Sequence, residues 1–273
     1  MRERAGAGRE YWSGVLLAGG CTTIPRWVAG PGAAGAGGVG ERVVTVPDDV
    51  AAALCRLAEE CAVPRRSVVL AAHAVVLAAL SGERRVTTGY VAEAGGPALP
   101  CGLDTGAGSW RALLRDTARV EAELLRHRDF PLEELKRELG SSTVAFETVF
   151  APAGEEERPG AASTGDVALW LDLSERAGRF RLRLRHRTDV LDSAAAARIA
   201  GYHQAALAAL ATDPDAAPGQ RSLLSADELA YQLEGLAGPR RELPDARLHE
   251  LFERRVAAHP DAVAAVAGDV RWT

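Results

Sequence analysis

The chain has 273 residues, 47% of them hydrophobic and 25% charged, which suits one large domain or a domain with a fragment of a second and is too apolar for a disordered polypeptide. Its formal net charge of -5 at pH 7 argues against general electrostatic binding to nucleic acid or to an anionic membrane, since both require a net basic face. Cys21, Cys55, Cys61 and Cys101 form no CxxC and read as thiols in a reducing compartment; with no signal peptide and no apolar run near the ~20 residues that span a bilayer, the expected location is the cytoplasm.

The first forty residues hold the stretch YWSGVLLAG and then GPGAAGAGGVG, residues 30–40, which reads as a connector. A formal GxGxxG runs from Gly35 to Gly40. A dinucleotide fingerprint needs a strand before it and a helix after it, and here the β-like ERVVTVP follows, so no cofactor loop is assigned. Asp48 to Cys61 is predicted as an amphipathic helix with Val50, Leu54, Leu57 and Cys61 on one face. Ser67 to Leu80 is apolar nearly all round and predicts a buried helix, within which His73 reads as a hydrogen-bonded core histidine and not a ligand. VTTGYVA follows as an inner strand. Ser109 can cap a helix running to about Arg126, with Trp110, Leu113, Leu114, Thr117, Leu124 and Leu125 inward and Arg111, Arg115, Arg119 and Glu123 outward.

HRDFPLEEL, His127 to Leu135, sets an imidazole two residues from a carboxylate, a pattern that raises general acid/base chemistry. Further on, DVALWLDL and RFRLRLRHR carry the clearest alternation in the chain. Val167, Leu169, Leu171 and Leu173 share one face, as do Phe180, Leu182, Leu184 and His186, predicting a hairpin around SERAG. A turn centred on Arg176 and Ala177 would set Asp172 opposite Arg181, Trp170 opposite Arg183 and Asp166 opposite Arg187. The other face bears Arg179, Arg181, Arg183, Arg185 and Arg187. It reads as a solvated face neutralised by Asp166 and Asp172, with a phosphate-binding or partner surface as the alternative. LDSAAAARIAGYHQAALAAL is then a capped helix with Ile199, Tyr202, Leu207 and Leu210 available to pack.

Taken in order, YWSGVLLAG, the β-helix-helix block, GSWRALL, HRDFPLEEL, FETVF, the long hairpin and RTDVLDSAAAARIAGYHQAALAALATDP resemble the C-terminal lobe of a nonribosomal peptide synthetase condensation domain, over roughly residues 10–215. SLLSADELAYQLEGLAGP resembles the linker that follows such a domain, and LHELFERRVAAHPDAVAAVAGDVRWT the first helix and strands of an adenylation domain. The organisation expected is therefore an N-terminal segment with its Gly-rich connector (1–40), a partial condensation domain (41–215), a linker (216–245) and the start of an adenylation domain (246–273). The implied fold class is α/β, one lobe of the chloramphenicol acetyltransferase-like (CoA-dependent acyltransferase) fold, a mixed β-sheet flanked by helices.

The resemblance also says what to expect of the chemistry. Family members join two carrier-bound thioesters through an HHxxxDG signature in the other lobe. Here the six histidines are isolated and the chain contains no Asp-Gly, so no catalytic, cofactor-binding or metal-binding residue is assigned. His127, Asp129, Pro131 and Glu133 match the family's HxDxPFExL motif, with Leu132 where Phe is usual. Pro131 suits a first helical turn and Glu133 and Glu134 its positive end, so the motif reads as a joint between helices, with His127 and Asp129 satisfying backbone groups. The family's RDxSRNP is reduced to LGSSTVAF.

Two functions follow as expectations: a noncatalytic interaction and positioning module ahead of an adenylation domain, or half of a split condensation or heterocyclisation domain whose HHxxxDG lobe comes from a partner protein. A stand-alone acyltransferase is the weakest reading, because no histidine has the required setting and no Gly-x-Ser-x-Gly nucleophile is present. Phosphopantetheine-loaded carrier proteins, ATP and Mg are implied only for a full assembly line. An adenylation domain in cis, an upstream synthetase or carrier protein and a second copy of the chain are the implied partners, with no nucleic acid and no membrane.

Overall fold

Strand alternation and helical periods assemble into a mixed six-stranded sheet in the computed structural model, which describes residues 2–18, 20–27, 37–139, 146–152, 167–239, 242 and 245–273. Two units are distinguished, Met1–Ala226 and Asp227–Thr273. The glycine-rich connector up to residue 36, the loop containing Asp166 and most of LGSSTVAF lie outside the described residues.

In the first unit the elements are α1 (Arg2–Ala18), β1 (Val39–Thr45), α2 (Asp48–Cys61), α3 (Arg65–Ser81), β2 (Arg85–Val91), β3 (Ala98–Asp104), α4 (Trp110–Arg126), α5 (Leu132–Glu138), β4 (Thr148–Ala151), β5 (Leu169–Arg176), β6 (Arg179–Arg187) and α6 (Ser193–Thr212). The sheet order is β1-β6-β5-β4-β2-β3, with β4 parallel to both β2 and β5 and every other pair antiparallel.

The helices start and stop for local reasons. Asp48 and Asp49 lie in the first turn of α2, where negative charge meets the positive end of the helix. The helix closes on Ala62 at φ 54, whose N–H reaches the carbonyls of Ala58 and Glu59. Ser109 Oγ accepts from the Ala112 N–H to cap α4, and Asp192 accepts from the Ala195 N–H to cap α6. Every residue of α3 from Ser67 to Leu77 is buried, as its unbroken apolar sequence requires.

One face of the sheet is the core face. Leu169, Leu171, Leu173, Phe180, Leu182 and Leu184 are each at most 2% exposed, and each contributes about 1.5–3 kcal/mol by leaving water. Tyr90, Phe150, Leu99 and Leu103 continue that face across β2, β4 and β3. On the opposite face Phe146, Val149 and Val167 form a small second cluster with Val91, Ala98 and Trp170 against it. Trp12 of α1 belongs to the main core, and the strand-like stretch after it is tied down by Trp27, whose N–H donates to the Val190 carbonyl at 2.9 Å.

The hairpin forms where alternation places it, but two residues out of the expected register. Arg176 faces Arg179, so the turn residues are Ala177 and Gly178, at φ 49 and φ 76. A two-residue turn that follows the sheet twist needs positive φ at both positions, and Gly178 supplies one of them at no steric cost, which draws the turn one residue onward. Asp172 consequently faces Arg183, not Arg181, and Trp170 faces Arg185, not Arg183.

In the second unit a π-helical turn, Tyr231–Gly235, follows α7 (Ala226–Ala230), and α8 (Leu248–Ala258) precedes an antiparallel pair, β7 (Ala265–Ala267) and β8 (Val270–Trp272). No residue of these helices or strands in the second unit is buried. Among the described residues no single helix is long and apolar enough to cross a membrane, and α2 with α3, which together pass by length and composition, meet at 107°.

Candidate functional site

The HRDFPLEEL joint is where sequence chemistry pointed first. His127 ends α4, and its carbonyl accepts from the Trp12 indole N–H at 2.9 Å and from the Phe130 N–H at 3.1 Å. The imidazole itself stacks on Tyr11, centroids 4.9 Å apart, with Nε2 3.9 Å from Glu123. The expectation that both side chains satisfy backbone groups is thus corrected. The backbone of His127 does that work, its ring packs, and the Asp129 side chain is 93% exposed. Pro131 stands at the N-cap of α5, one place before its first turn, while Glu133 and Glu134 lie within that turn. Glu133 also receives Lys136 at 2.6 Å.

The imidazoles elsewhere in the first unit are held by burial. His203 Nδ1 donates to the Ile199 carbonyl at 2.8 Å, so its Nε2 is an acceptor, and His73 Nδ1 donates to it at 3.0 Å. His73 Nε2 is then a bare lone pair with no partner among the described residues. Burial holds His73 well below the ordinary imidazole range, with His203 adding to it, and brings His203 down to about 4. His186 is lowered by burial too, against an opposing pull from Asp192. No group of three or more His, Cys, Asp or Glu among the described residues could hold a metal ion, and no disulfide links the four cysteines.

The most concentrated polar cluster is one that sequence reading passed over. Glu121, 1% exposed, receives Arg66 Nε at 2.7 Å and short hydrogen bonds from the hydroxyls of Ser67 and Tyr90. Burial, then the Glu121 charge, raises the Tyr90 phenol far above its usual range and pushes the Cys101 thiol up to about 12. Glu121 follows Thr117 by four residues on the inward stripe of α4, so the helical spacing carried the signal. With Glu121 and Tyr90 both sealed from solvent, the cluster ties α4 to α3 and β2.

The arginine face is largely neutralised, by partners other than those expected. Arg185 clasps Asp172 with two bonds of 2.8 and 3.1 Å and lies 5.7 Å over the Trp170 ring. Arg183 pairs with Glu41 at 2.6 Å, Arg187 with Asp189 at 2.6 Å and Arg179 with Asp48 at 3.1 Å. Arg181 has no ion pair among the described residues. Asp172, expected on a solvated face, has a side chain only 12% exposed. The arginines are therefore committed within the sheet, and the two strands flanking β6 supply much of the neutralising charge.

With this geometry in place, solved structures can be compared. The chain superposes on the first condensation domain of the calcium-dependent antibiotic synthetase at a TM-score of 0.61 and 23% identity, over 81% of the chain and 54% of that domain. The chain has the condensation-domain fold. The condensation domain of the monacolin K polyketide synthase MokA gives the same TM-score, 0.61, at 16% identity over 78% of this chain. FmoA3, a nonribosomal peptide synthetase crystallised with α-methyl-L-serine-AMP, matches 99% of the condensation-like chain at a TM-score of 0.67 and 17% identity. In sequence it is 37% identical over 179 residues to a probable non-canonical nonribosomal peptide synthetase, CymA, of Salinispora arenicola, and 26% identical over 266 residues to one of the linear gramicidin synthase proteins of Brevibacillus parabrevis. The chain spans only 2% to 3% of those two relatives. No family model matches it.

Proposed function

We propose that this chain is a partial, noncatalytic condensation domain of a nonribosomal peptide synthetase, which positions an adenylation domain in cis against an upstream synthetase or carrier protein. One observation carries the reading: the superposition covers 54% of a condensation domain, in a chain without HHxxxDG and with no adjacent histidines. The histidines support it. His73, His186 and His203 are buried and His127 is stacked on Tyr11, so none has the open setting a general base for amide formation needs. The adenylation partner is supported by coverage, which rises from 81% of the chain with a lone condensation domain to 99% with FmoA3. Carrier proteins bearing phosphopantetheine, and ATP with Mg for the adenylation step, belong to the full assembly line and not to this segment.

The coverage of about one lobe also favours a second reading, in which a partner protein supplies the HHxxxDG lobe and the two halves form a condensation or heterocyclisation tunnel. One experiment separates them. The chain is mixed with aminoacyl-loaded donor and acceptor carrier proteins, with and without the upstream protein, and dipeptidyl carrier is sought by mass spectrometry while binding is followed by light scattering after size exclusion. The positioning role predicts a complex, with the upstream protein or as a homodimer, and no product above the no-enzyme control. Product formed only when both chains are present supports the split enzyme. A clean monomer that binds no upstream protein would leave the positioning role without support.

A further inference from the structure

Neither reading uses the largest cavity of the first unit. It opens beside β3, the edge strand of the sheet, with α1 and α4 as its other walls, and has a volume of about 910 Å³. That is within the roughly 300–1,000 Å³ common for small-molecule sites. Val15 and Leu16 of α1, Leu103 of β3 and Val120 of α4 give it an apolar wall.

Its charges are neutralised in place, with one exception. Arg84 holds Asp104 at 2.9 Å, Arg119 holds Asp116 at 2.7 Å, and Glu123 receives Arg126 at 2.6 Å. Arg85, exposed at the start of β2, lines the cavity and makes no ion pair or hydrogen bond among the described residues. Two hydroxyls in the lining are also without partners: Thr117 Oγ1, buried in the wall, and the phenol of Tyr11. The uncommitted polar groups are thus hydrogen-bond donors, and the surface beside them is apolar.

We propose that this cavity binds a small amphipathic carboxylic acid, its carboxylate on Arg85 and its apolar body along Val15, Leu16, Leu103 and Val120. A lone guanidinium presents a fork that matches a carboxylate. The other charges of the lining cancel in pairs, so a single negative charge is the best complement. An apolar tail removes both its own surface and the cavity wall from water.

Titration calorimetry of the full chain with octanoate, 1-octanol and octylamine tests this. Octanoate should bind saturably with one molecule per chain, octanol at least about tenfold more weakly, as expected for losing a charged hydrogen bond, and octylamine not at all. Arg85→Gln should weaken octanoate by about tenfold or more and leave octanol unchanged, while Arg85→Lys retains most of the affinity. Gly102 faces the cavity from β3, and a Cβ there would meet only Thr87 Oγ1 at 3.8 Å, so Gly102→Val should fill the space and abolish binding of both ligands. Circular dichroism and urea midpoints establish that each variant is folded. The absence of saturable octanoate binding, equal affinity for octanol, or full affinity in Arg85→Gln would overturn the proposal. Arg85 is exposed, so that variant decides the matter even if Gly102→Val fails to fold.

Discussion

The imidazole of His186 lies directly over Gly40, its cross-strand partner, so closely that a Cβ at Gly40 would stand 2.4 Å from two ring atoms. The last glycine of the formal GxGxxG thus has a packing reason: an aromatic ring covers the bare backbone of an edge strand. Gly40→Ala should destabilise the chain by about 1–3 kcal/mol, the range for overpacking, read as a lower urea midpoint. Adding His186→Ala should recover part of the loss, and additive effects of the two changes would show that the rings and backbone are not in contact.

The His73–His203 pair makes the fold sensitive to mild acid. Both imidazoles are lowered on folding, so the unfolded chain binds protons more tightly and stability rises with pH where they differ. Their contribution is complete above the unfolded value of roughly 6.5 and falls away as pH drops toward about 4, where His203 itself titrates. The loss from His203 alone is on the order of 3 kcal/mol. Urea midpoints measured from pH 7 to pH 4 should fall accordingly, and a His73→Leu/His203→Leu double variant should show a flatter profile in that window.

Removing the buried carboxylate should be costly. Glu121→Ala leaves the hydroxyls of Ser67 and Tyr90 without their acceptor and Arg66 without its partner, a loss of about 3–5 kcal/mol. Glu121→Gln keeps an oxygen acceptor and should cost less than Glu121→Ala. Equal losses would mean that space filling, not hydrogen bonding, is what Glu121 supplies.

At the hairpin turn, Ala177 carries a positive φ of 49 that favours glycine or asparagine. Ala177→Asn should therefore raise stability by a few tenths to about 1 kcal/mol, seen as a small upward shift in thermal midpoint. A fall would indicate that the Ala177 methyl makes a contact of its own.

What was legible in the sequence was whatever depends on neighbours along the chain. The spacing of Leu54, Leu57 and Cys61 marked α2, the cap at Ser109 marked α4, and alternation from Leu169 to His186 marked the hairpin. Register was less legible, because it turned on which of two adjacent residues would accept positive φ. Partnerships between distant segments were not legible at all. Nothing near His73 names His203, and nothing near Glu121 names Tyr90, since those contacts arise only when helices meet the sheet. The Arg185–Asp172 clasp lies between the two: the right residues on the right face, two places from the pairing that alternation alone suggested.

The burial of α3 on all sides has a consequence for how the chain breathes. Its amides from Ser67 to Leu77 can meet solvent only when the surrounding layer opens, so they should exchange hydrogen at the rate of global unfolding. No residue of α8 or of β7 and β8 is buried, so those amides should exchange orders of magnitude sooner. A protease given limited time would therefore be expected to trim within residues 227–273 first and leave a long-lived fragment that still contains His73, Glu121 and the hairpin.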